Sequence, residues 1–100
     1  AGGGYRVDAG DIRYAEVVTH RVIYHMSDGK VIESRDALSG VEEKLSPCGF
    51  LRCSKCYLVN PRHITGIEGL KVTLGGDEIF MSRGKRAEFM RGLAAWRAGR

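Results

Sequence analysis

The chain has 100 residues, of which 43% are hydrophobic, and carries a formal net charge of +4. This length supplies one small hydrophobic core and excludes two separate domains. The sequence has no run of about 18 apolar residues and no apolar leader, so we expect no membrane contact and a cytoplasmic location. The opening Ala1-Gly2-Gly3-Gly4 is typical of a linker or a cloning scar, and we expect the domain to occupy residues 5–100.

The first third of the chain has the pattern of an antiparallel sheet. β-branched and aromatic residues dominate four short runs, at residues 5–7, 12–14, 22–24 and 31–32. Between the last two runs, Asp28-Gly29 is a strong signal for a two-residue hairpin, because type I′ turns need positive φ at both central positions. We therefore expect strands that pair through short turns.

A central helix is predicted next. After residue 35 the apolar period changes, because Leu38, Val41 and Leu45 recur at the spacing of one helix face. Ser46-Pro47 follows and is expected to end the run. The sequence therefore predicts one amphipathic helix over residues 35–45, about three turns long.

The second half predicts more strands and a terminal helix. Gly75-Gly76-Asp77 marks a turn among runs with strand patterns, at residues 64–67, 70–74 and 78–81. From Lys85 onward a helical apolar face recurs, with Gly92 as its weak point; the face consists of Phe89, Met90, Leu93 and Trp96. We expect this face to dock on the sheet of the same chain. The predicted fold is mostly β, with one central helix and one C-terminal helix.

One stretch of the chain carries a family signature. The stretch reads Phe50-Leu51-Arg52-Cys53-Ser54-Lys55-Cys56-Tyr57-Leu58-Val59-Asn60. Ile64 and, further on, Ser82-Arg83 belong to the same pattern. This pattern resembles the LytTR family, the DNA-binding effector domains of many bacterial response regulators. Other segments match in the family's order, namely Asp11-Ile12-Arg13-Tyr14-Ala15-Glu16, Ser27-Asp28-Gly29 and the run from Ala37-Leu38 to Leu45. The chain departs from the family's usual residues at Ala15, Ser54 and Pro61.

The resemblance implies an elongated body of packed antiparallel sheets whose loops enter successive major grooves of promoter DNA. It also implies two protomers on imperfect direct repeats, and a receiver domain upstream of this chain in a bacterial two-component regulator. The base-contacting residues it implies are His20, Lys55 and Arg83. Contacts to the DNA backbone, or from neighbouring loop positions, are expected from Thr19, Arg21, Ser54, Arg62, Lys85 and Arg86. We expect no cofactor and no catalytic residue.

The chemistry of the base-contacting candidates is compatible with this role, although composition alone favours ordinary exposed residues. Arg83 precedes Gly84 where the chain leaves a strand, and arginine there can bond guanine at two atoms. If the run around Lys55 is extended, Lys55 points outward and Cys56 points to the opposite face. His20 lies in a loop and can donate to a phosphate or accept from a base.

Two prominent residues of the signature are expected to be structural. Asn60 stands between an apolar pair and Pro61, where its side chain can bond the backbone of a turn. Arg52 is expected to pack its stem or to pair with Glu16 or Glu42.

The cysteines leave an alternative function open. Cys48, Cys53, Cys56 and His63 could supply four zinc ligands, but their spacing is irregular. We therefore expect no zinc and interpret the thiols as buried small hydrophobes, with redox control as a lesser possibility. The alternative to DNA binding is a zinc- or thiol-dependent protein-interaction module. No catalytic motif is present, and a Cys–His enzyme finds no support in the spacing, so we expect no enzyme.

Overall fold

The computed structural model describes residues 8–99. Within them lie two helices, α1 (Leu38–Leu45) and α2 (Arg86–Ala98). The strands are β1 (Ile12–Val18), β2 (Arg21–Met26), β3 (Val31–Ser34), β4 (Leu51–Arg52), β5 (Tyr57–Val59), β6 (Ile64–Glu68), β7 (Lys71–Leu74) and β8 (Asp77–Phe80). The strand predicted at residues 5–7 lies outside the described residues.

All strand pairs of the described chain are antiparallel, and they form two sheets. The larger sheet has five strands in the order β3-β2-β1-β5-β4, and the smaller has three in the order β6-β7-β8. The body extends over 40 × 30 × 25 Å. The predicted fold class, mostly antiparallel β with a central and a C-terminal helix, is confirmed.

The five-stranded sheet packs against one core on each of its faces. Successive residues of a strand point to opposite faces, so in β5 Leu58 joins one core and Val59 the other. The first core lies under α1 and contains Ile12, Ala15, Val22, Met26, Leu38, Val41, Phe50 and Leu58. The second core lies under the smaller sheet and α2 and contains Tyr14, Cys53, Val59, Val72, Leu74, Ile79, Met81, Phe89 and Leu93.

A β-bulge at Arg13 allows β1 to serve both cores. The register with β2 shifts between Ile12 and Tyr14, which inserts one extra residue in β1. Ile12 therefore faces the core under α1, whereas Tyr14 faces the core under the smaller sheet. The Arg13 side chain leaves the alternation and bonds the second sheet through its ion pair with Asp77 at 2.8 Å.

The two hairpins of the larger sheet differ from the predicted turns. The type I′ prediction for Asp28-Gly29 is wrong, because only Gly29 has positive φ there, and Met26 N donates to Lys30 O around a three-residue loop. The Asp28 carboxylate accepts from Lys30 N and stabilises this wider turn. The two-residue turn with positive φ at both positions lies instead at Thr19 and His20, between β1 and β2.

Helix α1 is shorter than predicted at its start. The Ser34 hydroxyl donates to the Asp36 carboxylate and accepts from Asp36 N, and such local bonds compete with helix formation. The helix therefore begins at Leu38. After Leu45 the chain continues as one 3-10 turn, Ser46–Cys48, because proline is tolerated in a first turn.

Helix α2 docks on the second core as predicted. Phe89 and Leu93 are buried, and the half-buried Trp96 packs against the same core. Gly92 lies on the side of the helix that faces β4. A Cβ at this position would lie 2.7 Å from Leu51 Cδ2, so glycine allows the helix to approach β4 closely.

The docking of α2 can be tested with Leu93→Ala. Leu93 is only 1% exposed, and its truncation leaves a cavity, so we expect the free energy of unfolding to fall by about 2–4 kcal/mol. The measurement is denaturant unfolding followed by circular dichroism. The control, Arg91→Ala on the exposed face, should remain within about 0.5 kcal/mol of wild type. An unchanged stability of Leu93→Ala would contradict this packing.

Candidate nucleic-acid interface

Antiparallel pairing brings two loops to the same end of the larger sheet. Strand β1 runs toward the Thr19-His20 turn, and β5 begins beside it because Tyr57 pairs with Glu16. Val17 N donates to Cys56 O at 2.9 Å, which continues the pairing into the loop before β5. The Thr19-His20 turn and the loop of residues 53–56 are therefore neighbours.

The second sheet adds a third loop at this end. Ser82 N donates to Cys53 O at 2.9 Å, and this bond joins the segment after β8 to the loop before β5. Residues Arg83–Lys85 then form one 3-10 turn that leads into α2. We call these three segments, residues 19–20, 53–56 and 83–85, the contact edge.

The Thr19-His20 turn is strained and exposed. Thr19 has φ of 44° and His20 has φ of 64°. Positive φ is uncommon outside glycine, and for a β-branched residue such as threonine it is a genuine outlier. Strain of this kind costs on the order of 1–3 kcal/mol per residue and concentrates at functional sites. The turn holds the His20 imidazole at the outermost point of the hairpin.

The loop of residues 53–56 is held by Arg52. Its guanidinium group donates from Nε to Ser54 O at 2.8 Å and from Nη2 to Lys55 O at 3.0 Å. Its Nη1 pairs with Glu42 at 2.7 Å, so the predicted partner Glu42 is confirmed. Arginine suits this role because its planar fork supplies several donors in fixed directions.

The backbone of this loop is bent rather than extended, so the condition under which Lys55 and Cys56 were expected to point to opposite faces is not met. Cys53 N donates to Tyr57 O, and Cys56 N donates to the Ser54 hydroxyl. Both Lys55 and Cys56 are exposed. The loop therefore presents the Lys55 ammonium group from an internally bonded backbone, and the Ser54 hydroxyl already serves that backbone.

The basic side chains of the contact edge and its surroundings differ in whether they form hydrogen bonds or ion pairs. Within residues 8–99, no hydrogen bond or ion pair holds the exposed side chains of Lys55 and Arg83. Arg21 pairs with Glu33 at 3.1 Å, but both side chains are more than half exposed, and such surface pairs contribute about 0–1 kcal/mol. Arg86 donates to Gly69 O at 3.2 Å.

The structure does not bring Arg62 together with this edge. Arg62 follows β5, whereas the loop of residues 53–56 precedes it, so the two lie at opposite ends of the strand. Arg62 lines a separate cleft with Gly10 and Trp96. Arg35, in contrast, was not singled out from the sequence, and it follows β3 beside the Thr19-His20 hairpin. The pairing of Ser34 with Val22 in the β2–β3 hairpin could have indicated Arg35, because it places the next residue near the start of β2.

Asn60 has the structural role predicted for it. It is 5% exposed, and its Nδ2 donates to Ile12 O at 3.0 Å while its Oδ1 accepts from Arg62 N at 3.1 Å. A buried amide that bonds both chain segments in this way holds the β5 end against the start of β1.

The cysteines do not share one environment. Cys53 is buried in the second core, where burial raises the pKa of its thiol to about 12, whereas Cys48 and Cys56 are exposed. The prediction of buried thiols is therefore wrong for Cys48 and Cys56, because each lies in a surface turn. His63 bonds Gly10 O at 2.7 Å. Across residues 8–99, no three His, Cys, Asp or Glu side chains are grouped as metal ligands.

The fold and the contact edge define a domain that presents loops and cations from a rigid β scaffold, the class of a nucleic-acid-binding domain. The chain belongs to the LytTr DNA-binding domain family, whose model matches residues 3–94. Such domains serve in transcription regulation, and the family resemblance noted from the signature is confirmed. No curated protein sequence matches the chain. In the described residues, no helix is long and apolar enough to cross a membrane.

A solved structure shares this fold. It is a LytTr DNA-binding domain from Bacillus cereus, described as part of a methyl-accepting/DNA response regulator. The two chains superimpose with a TM-score of 0.78 at 19% identity, over 87% of this chain and 84% of the other. At this identity the likeness shows the fold.

The anchoring of the loop can be tested with Arg52→Lys. Lysine retains a positive charge near Glu42 but lacks the planar fork that bonds the carbonyl groups of Ser54 and Lys55. A charged hydrogen bond contributes about 1.5–3 kcal/mol, so we expect amide exchange at Cys53 and Cys56, whose N–H groups are hydrogen-bonded, to accelerate about 10- to 100-fold. NMR hydrogen exchange measures this, with Arg91→Lys as control. Unchanged exchange in this loop would show that Arg52 does not order it.

The thiols give a second test. Since burial raises the pKa of Cys53 and also excludes reagent, an alkylating reagent at neutral pH should modify Cys48 and Cys56 only. Intact-mass spectrometry should find two adducts on the folded chain and a third after unfolding. Rapid modification of Cys53 in the folded chain would contradict the packing of the second core.

Proposed function

We propose that the domain binds double-stranded DNA in a sequence-specific manner through its contact edge, with the loops entering successive major grooves. The observation that carries this proposal is the backbone bonding that joins the loops, from Ser82 N to Cys53 O and from Val17 N to Cys56 O. Loops joined in this way present their side chains at constant separations. A protein that contacts several base pairs must hold its side chains at constant separations.

The proposed base contacts follow from side-chain chemistry. Arg83 can donate two hydrogen bonds to O6 and N7 of a guanine, and Lys55 can bond the same atoms of another guanine. The His20 ring can donate or accept according to its tautomer, and the strained turn directs it outward. The exposure of all three side chains supports this assignment.

The surrounding residues are proposed to bind the DNA backbone. Arg21 can exchange its exposed partner Glu33 for a phosphate at little cost, and Lys85 and Arg86 lie where α2 begins. Thr19 and Ser54 are neighbouring loop positions, with Ser54 contributing mainly to loop structure. Arg62 lies at the opposite end of β5, so the proposed surface does not include it.

The wider assembly is part of the proposal. Two protomers would occupy direct repeats in a promoter, and a receiver domain in the same regulator would control them, within the cytoplasm. The description of the Bacillus cereus neighbour as part of a response regulator supports this context. Since one rigid body presents all the loops, the DNA would bend to reach them, and its deformability would add to specificity.

Arg83→Ala tests the assignment of a base contact. We expect a loss of about 1–3 kcal/mol in binding free energy on a site selected from a random pool, and a much smaller loss on random DNA. Fluorescence anisotropy at one salt concentration measures both. Lys55→Ala should behave likewise, with its largest effect at a different base pair.

The control for both variants is Arg91→Ala, which removes one positive charge from the exposed face of α2. Equal losses on selected and random DNA would show that the residue binds phosphate only. Failure of the wild-type domain to enrich any sequence from the pool would contradict sequence-specific binding altogether.

A further inference from the structure

Arg35 lies beside the contact edge although it belongs to none of its three loops. Strand β3 returns antiparallel to β2, and Ser34 at its end pairs with Val22 near the start of β2. The next residue, Arg35, therefore reaches the end of the sheet that carries the Thr19-His20 turn. It then leads into the connection to α1.

A cleft separates this connection from the β1–β2 hairpin. Its volume is about 490 Å³, and cationic or titratable side chains stand on both of its walls. The hairpin contributes His20 and Arg21, and the opposite wall contributes Arg35. The full lining is Val17, His20, Arg21, Arg35, Asp36, Ala37 and Leu38. Arg21 and Arg35 place positive charge on both walls against one carboxylate of the lining, Asp36, and this balance favours an anionic occupant.

Arg35 is the cation of this cleft that is most available to a ligand. Its side chain is exposed, and none of the hydrogen bonds or ion pairs found in residues 8–99 engages it. Of the neighbouring acids, Glu33 pairs with Arg21 and the Asp36 carboxylate accepts from the Ser34 hydroxyl, so neither is paired with Arg35. A phosphate entering the cleft therefore displaces no partner of Arg35.

We propose that this cleft is a fourth contact to DNA, in which Arg35 binds a backbone phosphate on the α1 side of the contact edge. This inference rests on the proposed function and extends the DNA footprint beyond the three loops. The guanidinium fork matches two phosphate oxygens, and Arg21 on the facing wall can exchange its exposed partner Glu33 for the same phosphate. A phosphate contact carries no base information, so Arg35 contributes affinity and orientation rather than sequence preference.

The consequence is a change in salt dependence. Each neutralised phosphate of B-DNA contributes about −0.9 to the slope of log K against log salt, because counterions are released. Loss of one such contact makes the slope shallower by that amount. Removal of a positive charge from a residue that does not contact the DNA leaves this slope unchanged.

The experiment uses the wild-type domain and a DNA site that it selects from a random pool. Affinities are measured across a series of salt concentrations for wild type, Arg35→Gln and the control Arg97→Gln. Arg97 lies in the last turn of α2 and follows Trp96, which lines the cleft that contains Arg62. Arg97→Gln lowers the net charge of the domain by the same amount as Arg35→Gln. We expect a slope shallower by about 0.9 for Arg35→Gln only, with the same base preference. Arg35→Lys should restore the slope, and circular dichroism checks folding.

The outcomes separate the two proposals. If the wild-type domain binds and selects DNA but both glutamine variants keep the wild-type slope, the phosphate site is overturned and the proposed function stands. A change of base preference in Arg35→Gln would also overturn it, because Arg35 would then contact a base. If the wild-type domain selects no DNA, the proposed function itself fails.

Discussion

The two sheets are joined at Arg13, and the position of the contact edge depends on this junction. The bulge in β1 frees the Arg13 side chain, whose guanidinium group bonds Met26 O, Leu74 O and the Asp77 carboxylate. The Tyr14 hydroxyl donates to the same carboxylate at 3.1 Å. Asp77 begins β8, and β8 carries the chain from this anchor toward the Arg83 turn. A polar junction at one end of the smaller sheet therefore determines where Arg83 stands at the other end.

The contact edge combines rigid backbone with free side chains. Bonds between main-chain groups join its loops, and Arg52 holds the carbonyl groups of the loop that carries Lys55. A substitution at an exposed tip therefore changes chemistry without moving its neighbours. The buried Cys53 occupies the centre of this arrangement, since its backbone bonds both Tyr57 and Ser82 while its side chain fills the core. Cys53 thus joins two loops of the contact edge through its backbone and fixes them to the core through its side chain.

Local patterns predicted most elements of the fold, and they failed where two tendencies competed. Alternation and turn residues located six of the eight described strands, all except β4 and β5, to within a few residues, and the helical spacing of apolar residues located both helices. The Asp28-Gly29 signal was assigned the wrong turn, because the Asp28 carboxylate stabilises a wider loop by bonding Lys30 N. The tight turn formed at Thr19-His20, although positive φ is unfavourable for threonine. There the register of β1 and β2 leaves only two residues for the connection, and the sheet imposes the strain.

The sequence by itself determined the family, most of the elements and their order, and the turn bond between Asn60 and Arg62 N, because these depend on neighbours along the chain. Only the tertiary structure decided which cations share a surface. Arg62 is close in sequence to Lys55 but lies at the other end of β5, whereas Arg35 is far from His20 in sequence and faces it across a cleft. The physical reason is that antiparallel strands reverse the chain direction. The end of the sheet that a residue reaches therefore depends on strand pairing and register, which are formed by contacts between distant segments.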